Sequence, residues 1–143
     1  MFPDKSAEWK EFPSLIDGID DPFVFDKGYW KGKLYLTITD GAGHLSFGVT
    51  LNAIAYMAID EALFSVADHC CLSLSDFPNC YIRETKNSEL LTLYQSKEYL
   101  EQGDVRHFQF LGHDKCFECL CYGLPNIVMF KHEAERDAWG PTP

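Results

Sequence analysis

Three cysteines toward the end of the chain have a spacing that could serve metal chemistry. They occur as Cys116-x-x-Cys119-x-Cys121, and His113 precedes them. Two thiolates three residues apart can share a tetrahedral zinc ion, and an imidazole can complete such a site. In an extended strand, however, Cys119 and Cys121 point to one face and Cys116 to the other. We therefore predict buried apolar side chains and no cofactor. The alternative is a small ligand-binding or metal-binding domain centred on residues 116–121.

Signatures of common catalytic sites are absent from the sequence. It contains no Gly-x-Ser-x-Gly turn, no glycine-rich phosphate loop and no His-Glu-x-x-His motif. The adjacent acids Asp20 and Asp21, like Asp60 and Glu61, would face opposite sides of a strand, which favours solvated side chains over an acid and base pair. His107 lies in a strand-like run and is interpreted as a core or interface histidine bonded to the backbone. The sequence therefore predicts no enzyme.

Acidic residues dominate the charge. Asp and Glu number 22 against 12 Lys and Arg, and the formal net charge of -10 disfavours binding to nucleic-acid phosphates. The acids concentrate in residues 1–26 and in residues 34–82, and the second stretch contains no Lys or Arg. These acids either serve only solubility or steer a basic protein partner toward the surface. The second interpretation predicts a partner-binding set of Asp20, Asp21, Asp26, Asp60, Glu61 and Asp76.

Aromatic residues make up 15% of the chain and suggest where a partner could be anchored. Trp9 stands between Glu8 and Glu11, and Trp30 stands among lysines. Such rings can belong to a dense core, or they can lie at the surface as anchors of a protein interface. The second possibility adds Trp9 and Trp30 to the predicted partner-binding set.

The start of the chain lacks the basic region and apolar run of a secretory signal. The longest stretch without charged residues, residues 41–59, contains glycines and polar residues and alternates in its first half, as a strand does and a membrane helix does not. The six cysteines are then expected to be reduced thiols. These features predict a cytoplasmic protein without a membrane segment.

The elements that would position these residues are mainly strands. Apolar and polar residues alternate over residues 34–39 and again over residues 45–51, and turn-forming residues 40–43 lie between them, so a hairpin is predicted. Residues 53–59 are expected to form a third strand. Upstream, Ser6 is predicted to cap a short helical turn.

One principal helix is predicted over about residues 88–102. Asn87 or Ser88 is a good N-cap, Glu89 complements the helix dipole, and Gly103 can end the helix. Its apolar residues recur at helical spacing, so the helix should pack on the sheet.

A second hairpin is predicted after this helix. Residues 105–111 form its first strand and residues 116–122 its return strand, each with alternating apolar residues. Residues 125–126 should close the hairpin, and residues 127–130 can form one more short strand.

The predicted fold is a single α+β domain over residues 1–143. It is a mostly antiparallel twisted sheet with the helix at residues 88–102 packed on it, because short turns without helical crossovers join neighbouring strands. An acidic N-terminal arm covers about residues 1–26, and an irregular tail covers about residues 133–143.

The second half of the chain resembles small bacterial immunity-type proteins of polymorphic toxin systems. An Asn-Ser helix start, a His-aromatic strand, an aromatic-Glu-aliphatic strand and a Pro-x-Ile close occur in that order. The matching stretches are residues 83–91, 105–110, 114–120 and 125–127. The resemblance implies a cytosolic inhibitor that binds a cognate toxin domain and occludes its active surface, with no reactive centre of its own.

Overall fold

A seven-stranded antiparallel sheet organises the protein. The computed structural model describes residues 7–60, 80–95, 104–113 and 115–141. The strands are β1 (Trp9–Glu11), β2 (Phe23–Trp30), β3 (Lys33–Thr39), β4 (Ser46–Asp60), β5 (Ile82–Thr85), β6 (Val105–Leu111) and β7 (Lys115–Met129). Their order in the sheet is β1-β5-β6-β7-β4-β3-β2, and the sheet is open. The predicted antiparallel sheet is therefore confirmed.

The first predicted hairpin is formed by β3 and β4. Leu36 pairs with Val49 in its centre, and the alternating apolar residues of both strands point to the same side. In the turn, Gly43 N donates to Asp40 O at 3.0 Å, and His44 N donates to Asp40 Oδ1 at 2.7 Å. The aspartate thus closes the turn with both its main chain and its side chain.

The two central strands are longer than the sequence pattern predicts. Residues 53–59 are the continuation of β4 rather than a third strand, and residues 127–129 are the continuation of β7. The register between these strands shifts at two irregularities, between Thr50 and Asn52 and between Ala53 and Ala55. Gly123, with φ 70, lets β7 continue through the first of them. The interrupted alternation therefore marks bulges and not strand ends.

The bulges bend the sheet, so that one face becomes concave and encloses the core. The turn between β6 and β7 consequently reaches the start of β2, where His113 N donates to Pro22 O at 2.6 Å. Residues from both halves of the sheet share one apolar cluster, as expected for a folded-over sheet. The largest members on the concave face are Leu34, Leu36, Ile38, Phe47, Val49, Leu51, Ile82, Phe108, Phe110 and Phe117.

Residues 12–22, called the crossing segment, run from β1 at one edge of the sheet to β2 at the other. Ile16 and Ile19 in this segment are buried in the core. The predicted acidic arm is therefore wrong as a separate feature: its described part forms β1, the crossing segment and the start of β2. The predicted helical turn after Ser6 is also wrong from Trp9 onward, because β1 pairs with β5.

Two short helices lie among the described residues. Helix α1 (Glu89–Gln95) begins as predicted, since Ser88 Oγ accepts a hydrogen bond from Leu91 N at 3.1 Å. It packs Leu91 and Tyr94 on Leu120 at the convex face of the sheet. Residues 96–102 of the predicted helix lie outside the described residues. The prediction of one principal helix therefore matches only in part.

Helix α2 (Glu133–Ala138) lies in the tail that was predicted to be irregular, and this part of the prediction is wrong. Acids in its first turn and Arg136 in its last turn complement the helix dipole. Phe130 and Trp139, at its two ends, pack on the convex face at Gly48. No helix among the described residues has the length and apolar character needed to cross a membrane.

Candidate functional site

The crossing segment presents three exposed carboxylates on a backbone that is tied to its neighbours. The side chains of Asp17, Asp20 and Asp21 are exposed. Ser14 N donates to Asp17 Oδ2 at 3.0 Å, and Asp17 N donates to Ser14 O at 3.2 Å, which closes a local turn. Asp20 O accepts a hydrogen bond from Gly41 N at 2.9 Å. The Asp17 carboxylate and the backbone that carries Asp20 are therefore held in place by these bonds.

Nearby titratable groups respond to the negative potential of this segment. The half-buried Tyr81 donates its hydroxyl to the backbone of the crossing segment. Burial raises the pKa of Tyr81, and Asp20, Asp21 and Asp17 raise it further. Burial also raises the pKa of the Cys80 thiol, with Asp17 as the next cause. Because Coulomb interactions fade with distance and screening, these shifts indicate that the carboxylates converge on one region of the surface.

The turn between β6 and β7 brings a distant acid toward the crossing segment. His113 Nδ1 lies 3.7 Å from Asp21 Oδ1, and both side chains are exposed. The last residue of β4, Asp60, lies opposite Lys115 in the register of the sheet, and Lys115 begins β7 directly after this turn. Asp60 and Asp21 therefore flank the same turn, although they are widely separated in sequence. The structure thus assembles part of the predicted partner-binding set.

Other members of that set lie elsewhere on β2 or are not described. Asp26 Oδ1 accepts a hydrogen bond from Gly28 N at 2.9 Å within a bulge. Trp30 is 55% exposed at the last residue of the strand, with Lys31 Nζ 5.9 Å from its ring centroid. At a rise of about 3.3 Å per residue, Trp30 lies roughly 20 Å from the start of β2. The predicted residues outside the described part of the chain are Glu61 and Asp76.

Trp9 is packed inside the protein rather than displayed on it. It is 8% exposed, and its ring meets His107 edge-on with centroids 5.1 Å apart. Its backbone pairs with Thr85 of β5. This position is that of a core residue, because an interface anchor must be accessible to the partner. We therefore leave Trp9 out of the proposed binding surface.

The strand geometry separates the three clustered cysteines as predicted. Cys119 and Cys121 belong to the core on the concave face, whereas Cys116 lies in a small apolar cluster on the convex face. His113 is exposed at the turn. The structure therefore does not bring these four residues together. Within the described ranges, no group of three or more His, Cys, Asp or Glu side chains is arranged to hold a metal ion.

The thiols of Cys116 and Cys119 are held in the protonated form. Burial raises the pKa of Cys116 well above its usual value, and a hydrogen bond with Cys121 together with burial raises that of Cys119. The thiolate is the nucleophile and the metal ligand, so a thiol held protonated is poor in both roles. Cys116 and Cys119 therefore act as small packing residues of β7.

A chain of buried polar side chains lies on the convex face, and sequence reasoning missed it. His107 on β6 is 1% exposed. Its Nδ1 lies 2.7 Å from Ser88 Oγ, and its Nε2 lies 2.7 Å from Glu118 Oε1 on β7. Ser88 Oγ already accepts from Leu91 N, so the assignment that satisfies every group has Ser88 donating to Nδ1 and Nε2–H donating to Glu118. We call Ser88, His107 and Glu118 the polar chain.

The polar chain has the residue types of a hydrolytic triad but not its accessibility. Ser88 is 0% exposed, and its oxygen caps the first turn of α1. A nucleophilic serine must reach its substrate, whereas this hydroxyl is enclosed. The polar chain instead ties α1 to the sheet through three satisfied hydrogen bonds. The prediction that His107 bonds to the backbone is wrong, because its partners are two side chains.

The partners of His107 left only a partial signal in the sequence. Period-two alternation places His107 and Glu118 on the same face of adjacent strands, so their contact could be inferred once the hairpin register is known. Ser88 lies 19 residues before His107, in a different kind of element, and no spacing pattern links the two.

Comparison with known proteins identified no relative of this chain. No family model matches it, and no curated protein and no solved structure matches it either.

Proposed function

We propose that this protein is an interaction module that binds a basic protein partner through the crossing segment. The observation that carries the proposal is the fixed display of Asp17, Asp20 and Asp21, with Asp60 on the other side of the adjoining turn. In line with the resemblance to immunity-type proteins, we infer that the partner is a cognate toxin domain whose active surface is covered. This function needs no cofactor and no reaction, and we assign it to the cytoplasm.

The physical argument rests on charge and preorganisation. Complementary potentials raise the association rate of two proteins by orders of magnitude at low salt and disfavour wrong partners. Association also costs less when the binding groups are already ordered. The crossing segment meets both conditions, because its carboxylates are exposed while its backbone bonds to Gly41 and Ile82.

The first experiment identifies the partner. Affinity capture from the native cell lysate supplies candidates, and a neighbouring gene that encodes a toxic domain is tested by co-expression. The proposal expects the toxic domain to be tolerated by the cell only when this protein is present. It also expects the two purified proteins to form a stable complex.

The second experiment tests the surface. The triple variant Asp17→Asn, Asp20→Asn, Asp21→Asn removes three charges while keeping size and acceptor oxygens. Asparagine also tolerates the positive φ of 45° at position 21. We expect the association rate at low salt to fall about tenfold and its salt dependence to weaken. Stopped-flow or surface-binding kinetics at several salt concentrations measure both quantities.

A matched control lies near the end of β6 that is opposite the turn at His113. The variant Glu8→Gln, Glu89→Gln, Asp104→Asn removes the same number of exposed charges there, since Trp9 pairs through Thr85 with His107 and Asp104 directly precedes β6. At about 0.1 M salt its association rate should stay within about twofold of the unmodified protein, because exposed charges more than about 10 Å from the interface are largely screened. Equal losses in both triple variants would mean that only net charge matters. Unchanged kinetics in the crossing-segment variant would refute the proposed surface.

A further inference from the structure

A pocket lined by basic side chains, unlike the acidic crossing segment, lies where the segment after β7 packs against the β3–β4 turn. These two stretches enclose a pocket of about 150 Å³. The nitrogen-bearing side chains in its wall are His44, Lys131, His132 and Arg136, and Glu133 is the acid among them. Four potential N–H donors thus line one depression in a chain whose net charge is -10.

Most of these donor side chains are not engaged in hydrogen bonds or ion pairs with other described residues. Lys131, His44 and His132 make no side-chain hydrogen bond or ion pair with any residue in the described part of the chain. Arg136 Nε is 3.2 Å from Asp137 Oδ1, and this aspartate is exposed. An exposed pair of this kind is weak, so most of the guanidinium remains available.

The walls of the pocket are nevertheless anchored. Phe130 N donates to Ser46 O at 2.9 Å, which fixes the backbone directly before Lys131. Phe130 and Trp139 also bracket α2 and pack against Gly48. A Cβ at position 48 would stand 2.5 Å from Phe130 Cζ and 2.6 Å from Trp139 Cε2. The donors therefore project from a backbone that is held in position.

We propose that this pocket binds a small oxyanion of the phosphate class, either free or carried by a small molecule. A guanidinium offers paired N–H donors that match such oxygens, an ammonium adds a point charge, and imidazoles add further N–H groups. A cavity of about 150 Å³ can hold a molecule of about the size of benzene, so the pocket has room for one phosphate group. Glu133 opposes the anion and limits its affinity.

The test is a titration with inorganic phosphate followed by NMR, with chloride added to keep the ionic strength constant. We expect saturable shifts of the His44 and His132 resonances. The variant Lys131→Gln, Arg136→Gln should weaken binding about tenfold or more, because it removes two charge-assisted hydrogen bonds. Glu133→Gln should tighten binding about threefold, because it removes a like charge. A parallel titration with glycerol phosphate distinguishes a site for the free anion from one for a phosphate ester.

The matched control is Lys33→Gln, Lys86→Gln, which removes two exposed positive charges outside the pocket. This control should bind phosphate as the unmodified protein does. Shifts that never saturate, or equal weakening in the control and the pocket variant, would show that phosphate acts only by general ion screening and would overturn the proposal. Circular dichroism establishes that each variant remains folded.

Discussion

The two halves of the bent sheet bury different chemistry on their convex faces. Against β3 and β4 lie the rings of Phe130 and Trp139, which pack on Gly48. The convex face of β6 and β7 carries the polar chain, in which His107 of β6 bonds to Ser88 and to Glu118 of β7. The convex face of the first half is therefore covered by apolar contact, which is insensitive to protonation. The convex face of the second half depends on paired polar groups, which are costly to leave unpaired.

The two halves should also differ in their response to alkaline pH, and this is the largest effect that we expect. Cys80, Cys116 and Cys119 all have raised pKa values and all belong to the second half. The unfolded chain ionises these thiols from about pH 8.5, while the folded protein keeps Cys116 and Cys119 protonated and delays the ionisation of Cys80. Their contribution is thus complete below that pH and is lost as pH rises. We expect the free energy of unfolding to fall by about 1.4 kcal/mol per pH unit for each of Cys116 and Cys119.

Denaturant unfolding between pH 7 and pH 11 measures this loss. The variant Cys116→Ala, Cys119→Ala should reduce the slope by about 1.4 kcal/mol per pH unit for each thiol removed. Leu36→Ala, in the first half, should destabilise the protein by about 3 kcal/mol at every pH, since it removes only apolar contact. A slope that does not change in the cysteine variant would contradict the assignment of the alkaline loss to these thiols.

Breaking the polar chain is expected to be the next largest effect. His107→Ala leaves Ser88 Oγ and Glu118 Oε1 without their shared partner in a buried site, and we expect a loss of about 3 kcal/mol in the free energy of unfolding. Glu118→Ala should cost a similar amount. The double variant should cost at least about 1 kcal/mol less than the two single losses together, because the residues share a bond. Strict additivity of the two losses would mean that the chain is not a coupled unit.

The partly exposed ion pairs of the same half should matter least. Arg106 Nη1 lies 3.2 Å from Glu84 Oε2, and Arg106 Nε lies 3.1 Å from Asp104 Oδ2. The Arg106 side chain is 28% exposed and that of Asp104 is 66% exposed, whereas that of Glu84 is 13% exposed. Water therefore screens the pair with Asp104 and, in part, the pair with Glu84. Arg106→Gln should cost about 1 kcal/mol, and less in about 0.5 M salt. A loss as large as that of His107→Ala, persisting in salt, would remove the distinction between buried and exposed polar pairs.

Alternation along the chain was sufficient to predict the strands that pair through short turns. It placed Phe108 and Phe110 on one face of β6 and separated Cys116 from Cys119 on β7, and the structure confirms both. This works because a strand has a period of two and a hairpin has a fixed register. The β2 strand was not predicted, because its acids and lysines mask the alternation around the bulge at Asp26.

Long-range pairings and bends were beyond the sequence pattern. β1 pairs with β5, and their partners are separated by more than seventy residues, as in Trp9 with Thr85. Nothing local in either strand specifies the other. The same reason explains why the N-terminal acids were predicted to form an arm. Only the pairing of β1 with β5, at the edge of the sheet opposite β2, shows that residues 12–22 must cross the core.

The candidate site was predictable in composition but not in shape. Net charge singled out Asp20, Asp21 and Asp60 as candidates. Their grouping depends on the bend that brings the turn at His113 to the start of β2. Trp9 shows the converse, because flanking acids suggested an exposed ring whereas its neighbour across β5 is a buried histidine. Charged neighbours in the sequence indicate which side chains of a strand face solvent, but they do not predict whether the residue between them is buried.

The central position of β4 has a consequence for synthesis on the ribosome. β2, β3 and β4 emerge consecutively and can pair as soon as they appear, but the second edge of β4 is covered only by β7, which begins at Lys115. During that interval the nascent chain carries a long strand with open hydrogen-bonding groups and an apolar side, which is a template for association with other chains. Ribosome-bound fragments ending near residue 100 should therefore be the form of this protein that most requires a chaperone.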